Sequence, residues 1–178
     1  FMLLAIDTAT RLMSLALHDG DDLIAEQTWH AGNQHSVLLA PGIKSMLRAC
    51  DLQMDDLTAL AVSVGPGSYT GLRIGVALAK GMAAVHQLPL IGVTTLDTLA
   101  AGQPFSSTRT TLMAVVQAGR GRVIASQYRV KRGRWQATTE PELMNWPDVF
   151  AAAEGPVYLT GEVNADGRAA LQAAQEND

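Results

Sequence analysis

Asp7 closes a short apolar run, Leu3 to Ile6, and has Thr8 and Thr10 beside it. A carboxylate at the end of a strand can hold a hydrated magnesium ion while a neighbouring hydroxyl and backbone amides meet phosphate. The same carboxylate can instead cap the turn by accepting from nearby amides. Further along, Gly65-Pro66-Gly67-Ser68-Tyr69-Thr70-Gly71 joins a strand-like run to a helical one. Gly65 and Gly67 admit positive φ and close backbone approach, and the amides and dipole of a helix start suit an anion. Asp7, Thr8, Gly65, Gly67 and Ser68 are therefore candidate nucleotide or anion contacts. Against that, the loop has no P-loop lysine and Pro66 removes one amide donor. Thr70 also stands where the dinucleotide fingerprint needs its third glycine. The plainer alternative is a tight turn with Ser68 or Thr70 capping the next helix.

Metal and nucleophile chemistry is harder to find. His35 starts a helical pattern, and a metal site on a helix commonly uses a second histidine at i+4 to share its face. That position is Leu39. His18, His30 and His86 fall in other elements, so no metal site is expected. His35 reads instead as a helix-start residue or an interface hydrogen-bonding group. Ser36, Ser63 and Ser68 sit in no Gly-x-Ser-x-Gly elbow. Catalysis would need residues remote in sequence to converge.

A third candidate is basic. Arg120, Arg122, Arg129, Lys131, Arg132 and Arg134 follow one another with no acidic residue between them, and Tyr128 and Trp135 interleave. Such a stretch can track an RNA backbone. It can equally be a hairpin tip whose charges protect a sheet edge. Arg129, Lys131, Arg132 and Arg134 are the candidate RNA contacts.

These residues need elements to hold them. Leu3–Asp7, Met13–His18 and Leu23–Trp29 read as a meander of three short strands joined by polar turns. From His35 the period changes: Leu39, Ile43, Met46, Leu47 and Cys50 recur at helical spacing, with Pro41 and Gly42 inside the pattern. A proline there removes a backbone donor, so a kink is expected. Leu60–Val64 reads as a strand, the glycine loop opens a second helix to about His86, and Leu90–Val93 and Thr95–Ala101 follow as strand and short helix. In the second helix Gly71, Gly75, Ala79 and Ala83 recur at i+4, with Gly81 nearby. Interior glycines weaken a helix by about 1 kcal/mol each, so close approach of another backbone is expected, from the same lobe or from another subunit. The best linker is Gly102 to Thr108. Beyond it, Leu112–Val116, Val123–Val130 and Trp135–Thr138 read as strands, with a helix from Asp148, a strand at Val157–Thr160 and a helix at Ala165–Gln175. The second lobe thus begins to repeat the order of the first. A meander followed by strand and helix in alternation gives an α/β chain of mixed sheets with helices packed on them.

Composition narrows the function classes. The chain has 178 residues, 48% of them hydrophobic and 17% charged, with a net charge of −4. A net negative chain is not built wholly around nucleic acid, and so few charges suit one that covers part of its surface with a partner. Cys50 is the single cysteine, so no intrachain disulfide forms, in keeping with a reducing compartment. The opening segment lacks a basic n-region, and the apolar stretch Ile74–Val85 is too short for a span and interrupted by Lys80. A cytoplasmic address is expected, with no membrane attachment.

Several motifs in order carry a resemblance. Leu4-Ala5-Ile6-Asp7-Thr8-Ala9-Thr10, the lone His35 with Pro41 after it, Gly65-Pro66-Gly67-Ser68-Tyr69-Thr70-Gly71-Leu72-Arg73-Ile74-Gly75 and Gly92-Val93-Thr94-Thr95-Leu96 closely resemble the TsaB (YeaZ) family. The resemblance implies an actin-like fold of two ribonuclease-H-like lobes, expected at 1–103 and 104–178. It also implies a non-catalytic scaffold that binds a TsaD-like subunit as a heterodimer, with a TsaE-like ATPase. That assembly makes N6-threonylcarbamoyladenosine at position 37 of tRNAs reading ANN codons. On this reading the chain has no cofactor of its own, ATP acts through the partner subunits, tRNA is met through the complex, and the isolated chain can pair with itself. Two rival readings are an actin-fold ATP-binding protein and a metallopeptidase of the older glycoprotease-like description.

The docking face implied is the first and second helices: His35, Leu39, Ile43 and Met46 on one, Gly71, Gly75, Leu78, Ala79 and Met82 on the other. A leucine at Gly75 is expected to block the partner and leave the lobe folded. Two departures are visible. Gln117-Ala118-Gly119 stands where relatives commonly carry Asp-Ala-Arg, and the family continues past the end of this chain, so the second lobe is expected to lack a closing segment.

Overall fold

The computed structural model describes residues 1–104, 110–152 and 157–176. It divides into two compact units, Phe1–Thr94 and Thr95–Asp178.

In the first unit, β1 (Leu3–Asp7), β2 (Leu12–His18) and β3 (Leu23–His30) form the expected meander. Then come α1 (His35–Ala49), a 3-10 turn at Met54–Asp56, β4 (Ala59–Ser63), α2 (Tyr69–His86) and β5 (Leu90–Val93). The sheet order is β3-β2-β1-β4-β5. β1 pairs antiparallel with β2 and parallel with β4, and β4 pairs parallel with β5. Alternation along each strand decides which face is covered. Leu4 and Ile6 of β1 and Met13, Leu15 and Leu17 of β2 are buried, whereas Leu3, Ala5 and Asp7 are only half-buried. The buried set packs with Leu39, Ile43, Met46 and Leu47 of α1 and Ala79 of α2. Each leucine removed from water there contributes about 1.5–3 kcal/mol against conformational entropy. Pro41 lies inside α1 and does not end it.

The second unit opens with α3 (Thr95–Ala101), followed by β6 (Thr111–Gly119), β7 (Arg122–Lys131), β8 (Arg134–Ala137), β9 (Glu142–Asn145), α4 (Trp146–Ala151), β10 (Val157–Gly161) and α5 (Ala165–Gln175). Its sheet runs β10-β6-β7-β8, with β9 also on β7. β10 joins β6 in parallel and the other pairs are antiparallel. The antiparallel strands β6 to β9, then a helix, a parallel strand and a helix, repeat the order in which the first unit runs from β1 to α2. Thr111 to Val116 of β6 are all buried because both faces are covered. Leu112, Ala114 and Val116 meet Leu96 and Ala100 of α3. Met113 and Val115 meet Trp146 and Val149 of α4.

Three differences from expectation have local causes. Packing divides the chain at Thr94–Thr95 and not after Gln103, because α3 spends Leu96 and Ala100 on the second sheet. β9 escapes sequence reading, since Glu142-Leu143-Met144-Asn145 contains no β-branched residue and leaves Leu143 exposed. α4 starts at Trp146 and not at Asp148, because the Asn145 side chain caps it by accepting from Asp148 N at 3.0 Å. Part of the expected linker, residues 105–108, lies outside the described residues. Among the described residues no helix is long and apolar enough to cross a membrane.

Candidate functional site

β1 delivers Asp7, Thr8, Ala9 and Thr10 to the same end of the sheet as the Gly65 loop, because β1 and β4 lie side by side in parallel. The side chains there make hydrogen bonds within the chain. Asp7 Oδ1 accepts from Ala9 N at 2.8 Å and from Ser63 Oγ at 2.9 Å. Thr8 is fully buried, and its Oγ1 donates to the Gly71 carbonyl at 2.8 Å. Ser68 N donates to the Ala9 carbonyl at 2.6 Å, and Ser68 Oγ caps α2 by accepting from Gly71 N at 3.2 Å. Gly67, at φ 159°, passes so close that a Cβ on it would overlap Ala9 O. Gly65, at φ 104°, is in the left-handed region. Gly67 is thus required by the contact with the β1–β2 turn and Gly65 by its backbone conformation, while the Ser68 amide is spent on that contact, the Ala9 amide on Asp7 and the Gly71 amide on the Ser68 cap. The Asp7 carboxylate caps the turn by accepting from Ala9 N.

His35 is buried, and its Nε2 lies 2.9 Å from the Thr10 carbonyl, which can only accept, so Nε2 carries the hydrogen. The residue ties the start of α1 to the β1–β2 turn. Among the described residues no three His, Cys, Asp or Glu side chains group to hold a metal ion.

Of the expected docking residues, Leu39, Ile43, Met46, Gly71, Gly75 and Ala79 are buried within the chain. A Cβ on Gly71 would overlap Thr8 O, and one on Gly75 would overlap Thr8 Oγ1. The close approach inferred from the glycines is therefore made inside the first unit. Leu78 and Met82 are half-buried and open onto solvent. With Ile43, Leu47, Leu52 and Met54 they line an apolar groove of about 490 Å³ between α1 and α2, rimmed by Lys44 and Arg48. Of these groove residues, Leu52 and Met54 lie beyond the end of the α1 periodicity and carry no signal of their own in the sequence.

The basic stretch is split by β7. Arg120 and Arg122 stand at one end of the strand, while Arg129 and Lys131 stand at the other, with Arg132 in the turn and Arg134 on β8. The aromatics turn away from them. Tyr128 is buried, and its hydroxyl donates to Asp97 Oδ1 at 2.8 Å. Trp135 is half-buried, and its Nε1 donates to the Gln103 carbonyl at 3.0 Å. At the end of β6, Gln117 donates twice to Glu162, from N to Oε2 at 3.0 Å and from Nε2 to the backbone O at 2.8 Å, so this departure from the family pattern fastens β6 to the segment after β10.

Residues 27–165 match a family model described as TsaD, tRNA N6-adenosine threonylcarbamoyltransferase. Over 89% of this chain and 70% of the other, the sequence is 36% identical to the tRNA threonylcarbamoyladenosine biosynthesis protein TsaB of Bacillus subtilis. It is 32% identical to the protein of the same description in Escherichia coli K12, over 90% of this chain and 80% of that one. The fold matches YeaZ from Pseudomonas aeruginosa with a TM-score of 0.76 at 23% identity, covering 89% of this chain and 75% of the other. The chain belongs to the TsaB (YeaZ) family of tRNA threonylcarbamoyladenosine biosynthesis proteins.

Proposed function

We propose that this chain is a non-catalytic scaffold subunit that binds a TsaD-like subunit through the α1–α2 groove, with a TsaE-like ATPase joining the assembly that modifies tRNA. The observation that carries this reading is the groove itself. Its walls are apolar and include Leu78 and Met82, which the internal core leaves partly uncovered. Apolar area of this kind is covered at interfaces by a partner's anchoring side chains. The residues beneath it, including Gly75 and Ala79, act indirectly by holding α2 in place. The interface therefore narrows from the face expected in sequence to Leu78, Met82 and the exposed flank of α1. The chain needs no cofactor for this role, and ATP enters through the partners. In the absence of a TsaD-like subunit the same groove can pair two copies.

The test is a binding titration of the full chain with a cognate TsaD-like subunit. Met82→Glu should weaken binding at least about tenfold, as expected for a central apolar anchor, while circular dichroism shows a native fold. Unchanged affinity in a natively folded variant would move the interface elsewhere.

A further inference from the structure

Lys131 and Arg134 stand directly opposite each other in the β7–β8 register. Like charges in that position destabilise a strand pair. Arg132 adds a third cation in the turn, where it takes φ 53° beside Gly133 at φ 72°. A left-handed turn accommodates the glycine freely and the arginine less so. All three cations are exposed, and none has a carboxylate within ion-pair distance among the described residues. Arg129 shares their face but already has an interaction within the chain.

The reverse face of the hairpin is anchored. Val130 and Trp135 pair there, and Trp135 and Tyr128 pack with Leu96 and Ala100 of α3. Fastened in this way, the hairpin cannot lend its aromatic rings to base stacking. What it offers an outside ligand is fixed positive charge on one face, with no acidic residue between Arg120 and Arg134 to offset it. Recognition by such a face is recognition of phosphate spacing and carries no base sequence.

We infer that Lys131, Arg132 and Arg134 contact the phosphodiester backbone of RNA, by charge and without base readout. This deepens the tRNA reading above and rests on it for the choice of RNA over an acidic protein surface.

The full chain is titrated with a labelled tRNA transcript and with an unrelated duplex RNA, across a range of salt concentrations. Both should bind alike, with affinity falling as salt rises. Three contacts predict a loss of roughly 40-fold between about 50 and 200 mM salt. Lys131→Gln with Arg132→Gln and Arg134→Gln should flatten the log–log slope by about 2 to 3 units. Arg120→Gln with Arg122→Gln, at the far end of β7, should leave the slope unchanged. The inference is overturned by equal slopes for wild type and the triple variant, by preference for one RNA sequence, or by binding to polyglutamate in place of RNA. A parallel titration with the TsaD-like subunit separates the readings: loss of the hairpin effect leaves that affinity intact, and loss of the docking reading does not touch the salt slope.

Discussion

The Thr8 hydroxyl occupies the place that a Cβ on Gly75 would take, and it donates to the Gly71 carbonyl at 2.8 Å. Thr8 thus fills the gaps that two glycines leave open on α2, its hydroxyl at Gly75 and its backbone carbonyl at Gly71. The contact explains why a helix interior tolerates these glycines despite their cost of about 1 kcal/mol each. It also overturns the expectation that a leucine at Gly75 would leave the lobe folded.

Gly75→Ala should destabilise the chain by about 1–3 kcal/mol through overpacking against Thr8, read by urea unfolding. Thr8→Ala with Gly75→Ala should cost less than the sum of the two single changes, because the first removes the atom the second strikes. Strict additivity would show that the two do not meet.

Tyr128→Phe should cost about 0.5–1.5 kcal/mol, the net contribution of the hydrogen bond the hydroxyl donates to Asp97. Burial, with Asp97 beside it, raises the Tyr128 phenol above its ordinary 10.0. A raised value means the folded state holds its proton where the unfolded chain loses it. The stabilising contribution is therefore complete below about pH 10 and is lost as pH rises toward the folded value. The gap between wild type and Tyr128→Phe in denaturant unfolding should narrow from pH 9 to pH 11. A constant gap would refute the assignment.

His35→Ala should lower stability by about 1–3 kcal/mol by leaving the Thr10 carbonyl unpaired. Elemental analysis should find no stoichiometric zinc or iron before or after the change, and chelation should leave the unfolding midpoint where it was. One tightly held metal per chain, lost on substitution, would instead favour the metallopeptidase reading.

Isothermal titration of the isolated chain with ATP and magnesium should give no saturable heat, because Asp7 and the Ser68, Gly71 and Ala9 amides are engaged with each other. Binding abolished by Asp7→Asn would restore the actin-fold ATP-binding reading.

Much of the fold was legible because its signals are local. The alternation in Leu12–His18 and the helical recurrence of Leu39, Ile43, Met46 and Leu47 each report which side of an element faces the core. The cap at Ser68 was legible for the same reason, since a serine before a helical run satisfies amides within its own turn. β9 was not, because its strand character comes from pairing with Arg122–Ala125 and not from its own residue types.

The sequence by itself determined the two-lobed α/β order, the small-residue requirement of α2 and the presence of a basic stretch. These follow from periodicity, glycine spacing and charge, which are properties of neighbours along the chain. Only the tertiary structure decided what those features face. It placed Thr8 under Gly75, turned Tyr128 and Trp135 inward, and sent Arg120 and Arg132 to opposite ends of β7. The physical reason is that partners such as Thr8 and Gly71 or Tyr128 and Asp97 lie far apart in sequence. Their contact exists only once the sheets have brought their elements together.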